Sequence, residues 1–325
     1  MSEKEIYIYF KEKLKVEIRN ISLQSKVDVK LFHLAIGNFD GVHLGHQQII
    51  KTLVNNAKKN DKHTAILSFN PHPRRFFSKD LDRYQIISED HKKHLLKDLG
   101  IDYYFSLHFD QTIANLSPSE FIEKIIVQQL HVDKLIVGYD FRFGKNREGD
   151  IVLLQDHAAI HGFSLEIIEP IKDAASAEVY SSTGIRKALQ SGDVEKANSM
   201  LGRAWTMTGK VVHGDKRAGK MNFPTANILP HSQVYPKKGV YAIHAIMDED
   251  LLKGIANFGE RPTVDGKKLL LEVNLFDFDR DIYGKQLTVK FLRFIREEKK
   301  FDTISLLKGQ ITEDIHIAKN YHLRK

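Results

Sequence analysis

The stretch Ala35-Ile36-Gly37-Asn38-Phe39-Asp40-Gly41-Val42-His43-Leu44-Gly45-His46 lies between two segments of different period. Before it runs a short apolar segment, residues 31–36; after it Ile49, Ile50, Leu53, Val54 and Ala57 recur at helical spacing. The order reads as strand, tight glycine-rich turn, helix, with His43 and His46 on the turn or the first helical turn. Such a turn aims backbone N–H groups and the positive end of a helix dipole at one point, which suits a phosphate. Two imidazoles three residues apart can share one helix face and donate to the same anion. An isolated His-x-Gly-His is also what two surface histidines on a turn look like. Its place directly after a strand, with Gly37 and Gly41 just ahead of it, favours the anion site.

Outward from this turn, apolar runs alternate with helical patterns from about residue 31 to residue 200. Strands are expected at 31–36, 64–69, 103–107, 134–137 and 163–168, with helices between them. Ser117-Pro118-Ser119-Glu120 reads as a helix start, with Ser at the cap, Pro at the first helical position and Glu three residues after the cap. A helix at 89–99 is expected to stop at Gly100. Alternation of this kind predicts a mostly parallel, Rossmann-like α/β sheet covered on both faces, with ligands held outside the strands' C-terminal ends. After Gly202 the period changes to short β-rich runs at 205–212, 239–247, 254–257, 269–276 and 287–295, then a helix at about 303–319. Strands that follow one another without crossover helices predict an antiparallel sheet or small β-barrel with one terminal helix. Short helical pieces at 185–190 and 194–201 mark the boundary, which divides the chain into domains 1–186 and 187–325. The segment before Lys30 carries no motif, and residues 6–10 suit an edge strand.

Length and composition allow two domains with separate cores: 325 residues, 42% hydrophobic and 28% charged. The absence of cysteine excludes disulfides, a thiolate nucleophile and cysteine-based metal sites. The N-terminus Met1-Ser2-Glu3-Lys4-Glu5 has no apolar h-region, and no run approaches the roughly 18 apolar residues of a membrane span. A cytoplasmic protein without membrane association is the expectation. Net charge is +7, from 49 basic and 42 acidic residues. That excess suits phosphorylated small molecules as well as nucleic acid. The basic residues are spread along the chain and no RNA-binding or helix-turn-helix signature is present, so nucleic acid is not expected as a partner.

Gly37 to His46 resembles the signature of the bacterial bifunctional riboflavin kinase/FAD synthetases. The resemblance continues at Phe69-Asn70-Pro71-His72-Pro73, at Gly138-Tyr139-Asp140-Phe141-Arg142-Phe143-Gly144, at Arg147-Glu148-Gly149-Asp150 and at Ser181-Ser182-Thr183-Gly184-Ile185-Arg186, in the family's order. It implies an α/β nucleotidyltransferase domain that transfers the adenylyl group of ATP to FMN. An FMN phosphate oxygen attacks the α-phosphorus in line and pyrophosphate leaves, so catalysis is positioning and charge neutralisation. Carried over by resemblance, His43 and His46 contact the ATP phosphates, beside Gly37, Asn38, Phe39 and Gly45. Ser182, Thr183 and Arg186 hold the departing pyrophosphate, Arg186 being suited to bidentate contacts; Ser182 and Thr183 equally suit a plain helix cap. Asp40, Asn70, Asp140, Phe143 and Arg147 fall on the flavin side. His72 there and Asn70 are also readable as loop residues shaped by Pro71 and Pro73. Mg²⁺ would bridge phosphate oxygens.

The second half resembles the same family's riboflavin kinase domain, through Phe223-Pro224-Thr225-Ala226-Asn227, Gly239-Val240-Tyr241-Ala242, Asn257-Phe258-Gly259-Glu260-Arg261-Pro262-Thr263 and Leu271-Glu272-Val273-Asn274. The resemblance implies that Thr225 and Asn227 contact Mg²⁺ and ATP phosphate, that Glu272 accepts the proton of riboflavin's 5′-hydroxyl, and that Arg296 lies on the flavin side. Proton transfer to a carboxylate beside an alcohol nucleophile is reasonable chemistry. Two departures stand out. Ala218-Gly219-Lys220-Met221-Asn222 occupies the place of the family's Gly-Arg-x-Leu-Gly loop, and Asn274 that of its usual His. Ala at a position of positive φ costs roughly 1–2 kcal/mol, whereas Asn tolerates it better. Two readings follow: a bifunctional enzyme making FMN and then FAD, or an FAD synthetase whose kinase-like barrel is weak or inactive. A flavin- or RNA-binding regulator without catalysis is a third. A monomer or weak homo-oligomer is expected.

Overall fold

The computed structural model describes residues 16–29, 32–78, 83–173, 177–212, 225–229, 233–248, 250–263 and 266–323. The strand expected at 6–10 and the loop 218–222 therefore lie outside the described residues, as do Phe223 and Pro224. The chain divides into two compact units, residues 1–82 with 88–180, and residues 83–87 with 181–325. The helix that begins at Ser182 thus falls with the second unit, and so does a five-residue excursion at 83–87.

The first unit is built on a parallel sheet of six strands: β1 (Glu17–Ile21), β2 (Phe32–Ile36), β3 (His63–Asn70), β4 (Tyr103–His108), β5 (Lys134–Gly138) and β6 (Ser164–Ile168), in the order β1-β4-β3-β2-β5-β6. Every residue of β2 is buried, which is why it reads as an unbroken apolar run: both faces of a central parallel strand are covered. Helix α1 (Leu44–Lys59) lies over β2, β3 and β5 and buries Ile50, Leu53 and Ala57. The opposite core joins Leu34, Leu67, Phe105 and Leu135 to Ile122, Ile125 and Ile126 and to Leu154 of a helix at Ile151–His161. Shorter helices α2 (Pro73–Phe77), α3 (Glu89–Asp98), α4 (Gln111–Asn115) and α5 (Pro118–Phe121) precede them; Ile151–His161 is α6. Ser117 and Glu120 form the expected reciprocal cap of α5, which then continues as a π-helix over Ile122–Gln129. Helix α3 ends one residue before the expected position, with Gly100 at φ 90° just beyond it. From β2 the chain winds one way to β3 and β4, and through β5 to β6 the other way. The switch point of the sheet therefore lies between β2 and β5.

The second unit begins with α7 (Ser182–Ser191) and α8 (Val194–Leu201). A closed antiparallel barrel follows, in the order β10-β11-β8-β7-β12-β9, formed by β7 (Trp205–Val212), β8 (Ala226–Ile228), β9 (Gly239–Met247), β10 (Asp250–Thr263), β11 (Gly266–Leu275) and β12 (Gln286–Arg296). Trp205, Met207, Tyr241, Ile243, Phe258 and Phe291 fill it. Helix α9 (Ile304–Leu323) closes the outer face, Ala318 packing with Val240, Ala242 and Ile255. The excursion at 83–87 is tied into this unit: Ile86 O accepts from Trp205 Nε1 at 2.7 Å and from Gln233 Nε2 at 3.1 Å.

Candidate active sites

The turn after β2 stands at the switch point, where Ala35 pairs with Ile136 of β5. Three of its residues are left-handed: Phe39 (φ 48°), Gly41 (φ 86°) and Val42 (φ 42°). A β-branched residue there costs of order 1–3 kcal/mol and persists only where its surroundings hold it. Phe39 and Val42, each 1% exposed, supply that anchoring. His43 caps α1, its Nδ1 accepting from His46 N at 3.3 Å, which leaves Nε2 to carry the proton of the neutral ring. The rings of His43 and His46 stack at 3.6 Å, and Phe39 lies 5.1 Å from His46. Gly45 leaves room for this stack, since a Cβ there would press on the His43 ring at 3.1 Å; at Gly37 a Cβ would stand 3.2 Å from Phe39. Asp40 is buried beside them. The Asn38 side-chain oxygen is buried with no hydrogen-bond partner.

Behind this turn is a polar cluster that no motif announces. Lys92 of α3, 5% exposed, donates to Asn38 O at 3.2 Å and pairs with Glu89 at 2.8 Å, and Tyr104 donates to Glu89 at 3.2 Å. Burial alone would lower the Lys92 pKa, but Tyr104 and Glu89 offset it and hold the ammonium above the ordinary lysine value. Burial raises the Tyr104 hydroxyl, with Lys92 opposing.

Helix α7 is the second helix whose start carries a motif of the family resemblance. Ser181, rather than Ser182 or Thr183, is its cap, accepting from Gly184 N at 3.1 Å. Ser182 is half-buried and Thr183 exposed on its first turn. Arg186 is buried, its Nε donating to Tyr84 O at 2.8 Å while the guanidinium lies 3.5 Å over the Tyr84 ring. The chain enters α7 from Tyr180, whose carbonyl oxygen is 3.5 Å from where a Gly45 Cβ would sit.

In the barrel, Asn227 of β8, Glu272 of β11 and Asn257 of β10 are direct register partners. Leu271 and Val273 are buried inside, so strand alternation sends Glu272 and its two amide neighbours to the outer wall. Asn227 is buried nonetheless, and its Oδ1 has no hydrogen-bond partner. A buried carbonyl oxygen so placed, with the hydroxyl of half-buried Thr225 two residues before it, is a fitting donor set for Mg²⁺, a hard cation that takes oxygen ligands.

Residues 27–183 match the model of the FAD synthetase family, and residues 201–322 that of the riboflavin kinase family. A bifunctional riboflavin kinase/FMN adenylyltransferase from Haemophilus influenzae is 39% identical over 289 residues, covering 89% of this chain and 93% of that protein. The chain belongs to the bifunctional riboflavin kinase/FMN adenylyltransferase family. The protein of that name from Escherichia coli K12 is 37% identical over 305 residues, 94% of this chain and 97% of its own length. A crystal structure described as a macrolide-efflux protein from Streptococcus pneumoniae superposes with a TM-score of 0.85 at 28% identity, covering 93% of this chain and 99% of that one. Among the described residues no helix is long and apolar enough to cross a membrane. As a member of this family the chain is an enzyme, and the reading as a non-catalytic regulator is set aside.

The flavin-side residues carried over from the family resemblance are placed less uniformly than the phosphate-side ones. Asn70 ends β3 with its side chain exposed, and its carbonyl accepts from Phe109 N. His72 caps α2, accepting from Arg74 N at 3.1 Å. Asp140 is exposed on the turn after β5, beside the switch point. Arg147 is exposed at φ 60°. Phe143 is 5% exposed and packs on Phe121 and Phe141, with Gly149 so close that a Cβ would meet its ring at 2.7 Å. Its ring belongs to the core that carries this loop. Arg296 is engaged by Asp314, with Nε at 2.8 Å and Nη2 at 2.6 Å, and Nη1 donates to Glu297 O. The sequence reading missed Lys92, Glu89 and Tyr84 as supports of the phosphate-side residues; each lies far in sequence from the motif it supports.

Proposed function

We propose that this chain runs both reactions of its family, phosphorylating riboflavin at its 5′-hydroxyl in the barrel and joining FMN to the adenylyl group of ATP at the glycine-rich turn. The observation that supports the second reaction best is the stacked His43–His46 pair at the N-terminus of α1, set at the switch point of the parallel sheet. In adenylyl transfer an FMN phosphate oxygen bonds to the α-phosphorus of ATP as the bond to the β-phosphate bridge breaks, and pyrophosphate departs. His43 Nε2–H, His46, the α1 dipole and the turn's N–H groups neutralise the charge that develops. The unpartnered Asn38 oxygen accepts from a substrate hydroxyl or amine. Ser182, Thr183 and Arg186 take the pyrophosphate, Arg186 with its guanidinium held flat on Tyr84. Asp40, Asp140 and Arg147 serve the flavin, with Asn70 at its edge; Phe143 supports them from the core.

In the barrel reaction Glu272 accepts the 5′-hydroxyl proton as that oxygen bonds to the γ-phosphorus and ADP leaves. Thr225 and Asn227 would hold Mg²⁺, which when bound offsets phosphate charge. The altered loop at 218–222 and Asn274 support the narrower reading, adenylyl transfer with a weak kinase. Both readings have the protein in the cytoplasm, acting on small molecules without nucleic acid or membrane, as a monomer or weak homo-oligomer.

The test is chromatographic: purified protein with Mg²⁺ and ATP, supplied with riboflavin or with FMN. FAD from FMN and FMN from riboflavin support the full reading; FAD from FMN alone selects the narrower one. His46→Ala is expected to lower FAD formation at least 100-fold with an unchanged melting curve, since one preorganised donor to developing charge is worth about 10²–10³ in rate. Near-normal turnover in that variant would remove the turn from the chemistry.

A further inference from the structure

One cluster in the first unit belongs to neither reaction. Glu123 lies on the π-helical segment that continues α5, and His157 and His161 lie four residues apart on α6. One donor atom from each approaches the other two to within 4.8 Å, and this is the single such group of three among the described residues. The two imidazoles are near parallel, 5.5 Å apart. Ser119, one turn before Glu123, holds His157 Nε2 at 3.1 Å. Ser119 and Glu123 thus face His157 and His161 across two helices, pair beside pair.

We infer that Glu123, His157 and His161 form a binding site for a borderline divalent transition cation of the Zn²⁺ class. Two histidines one helical turn apart plus a carboxylate is a donor set that suits such ions and leaves a fourth position for water. The hard cations used with nucleotides prefer all-oxygen sites, so this position does not duplicate the Mg²⁺ role. His157 carries the argument. It is 9% exposed, and its Nδ1 is buried with no hydrogen-bond partner, although its Nε2 is held by Ser119. A ring fixed through one nitrogen by an oxygen, with the other nitrogen left for a metal, is the usual arrangement of a ligating histidine. An imidazole buried only for packing would have both nitrogens satisfied or one facing water. Glu123 and His161 are exposed, so binding would draw their donor atoms in toward buried His157.

The full-length protein, stripped with chelator, would be titrated with Zn²⁺ alone by calorimetry and with Co²⁺ alone by visible absorption. The expected result is one saturable site per chain and an intense four-coordinate Co²⁺ spectrum. His161→Ala is expected to weaken binding at least tenfold, and Ser119→Ala about tenfold through loss of ring orientation. Zinc-free His161→Ala should retain the melting temperature of the zinc-free parent and, assayed with Mg²⁺ and ATP, its FAD formation, which separates a lost ligand from a lost fold. Zn²⁺ should raise the melting temperature of the parent and not of the variant. Absence of a one-to-one site, or equal affinity in the parent and His161→Ala, would overturn the assignment; the remaining histidines would then account for any binding.

Discussion

Lys92 touches none of the atoms expected to touch nucleotide, yet it fixes the carbonyl of Asn38 in a turn with three left-handed residues. Its ammonium stays charged because Tyr104 and Glu89 outweigh its burial. Replacing it by Met keeps the stem's packing and removes the donor. A lost hydrogen bond to a charged group is worth about 1.5–3 kcal/mol, and here the loss falls on the geometry of the glycine-rich turn. Lys92→Met is therefore expected to lower kcat/KM for FMN adenylylation about 10- to 100-fold, mostly through kcat, while riboflavin phosphorylation is unchanged. Steady-state kinetics on both half-reactions check this; adenylylation within twofold of the parent would dismiss Lys92 as a positioning residue. Glu89 is partly exposed and can hydrate, so stability should fall little. That His43 and His46 come together could be read from the sequence because contiguous residues of a single turn carry them. Lys92 could not, because a lysine on a charged helix reads as a solvated face until the fold brings it against a turn 54 residues away.

At the scale of elements, helix α9 shows how much a pattern withholds. Its position follows from the sequence, but what holds it does not. Arg296 opens a charged run, Arg296-Glu297-Glu298-Lys299-Lys300, that looks solvent-facing, and family resemblance assigns it to the flavin. In the structure its fork grips Asp314, whose side chain is 3% exposed, while His322 stacks on His244 at 5.0 Å and reaches Gly254 O. Burial keeps both histidines below the ordinary value, with the His322 ring also lowering His244. Asp314→Ala would leave a mostly buried guanidinium without its counter-charge, and such losses run at about 3–5 kcal/mol. Urea titration of the variant is expected to show a loss near the lower figure, since Arg296 keeps some exposure. A loss under about 0.5 kcal/mol would show that the pair is a surface bridge in energy. The longer strands of the barrel were legible as short β-rich runs between turn residues, whereas β8 is too short to stand out and β1, polar and largely exposed at the sheet edge, has no apolar face to announce it. The π-helix is likewise invisible to a pattern tuned to the α-helix.

At the scale of the whole molecule, the sequence changes character after Gly202, while the chain divides into two compact units of which the second takes in residues 83–87 and everything from Ser181 onward. The excursion of 83–87 into the second unit had no such signal, because five residues carry no period. Their attachment shows in the hydrogen bonds that Gln85 O and Ile86 O accept and in the stacking of Arg186 on Tyr84 and of Arg83 on Tyr235. The two reactions as proposed are assigned to different residues, so each should be open to silencing alone. Glu272→Gln keeps the shape of the outer-wall row Asn227–Glu272–Asn257 but removes its proton acceptor. Loss of a positioned general base is worth about 10²–10⁴ in rate. Riboflavin phosphorylation should fall by at least 100-fold in this variant, while FAD formation from supplied FMN stays within twofold of the parent. His46→Ala should do the reverse, and with riboflavin and ATP it should accumulate FMN. Mixing the two purified variants with riboflavin should then restore FAD, because FMN released by one can be adenylylated by the other. If Glu272→Gln lowered both reactions together with an unchanged melting curve, the assignment of separate sites would be wrong; if it lowered neither, Glu272 would be only a wall residue of the barrel.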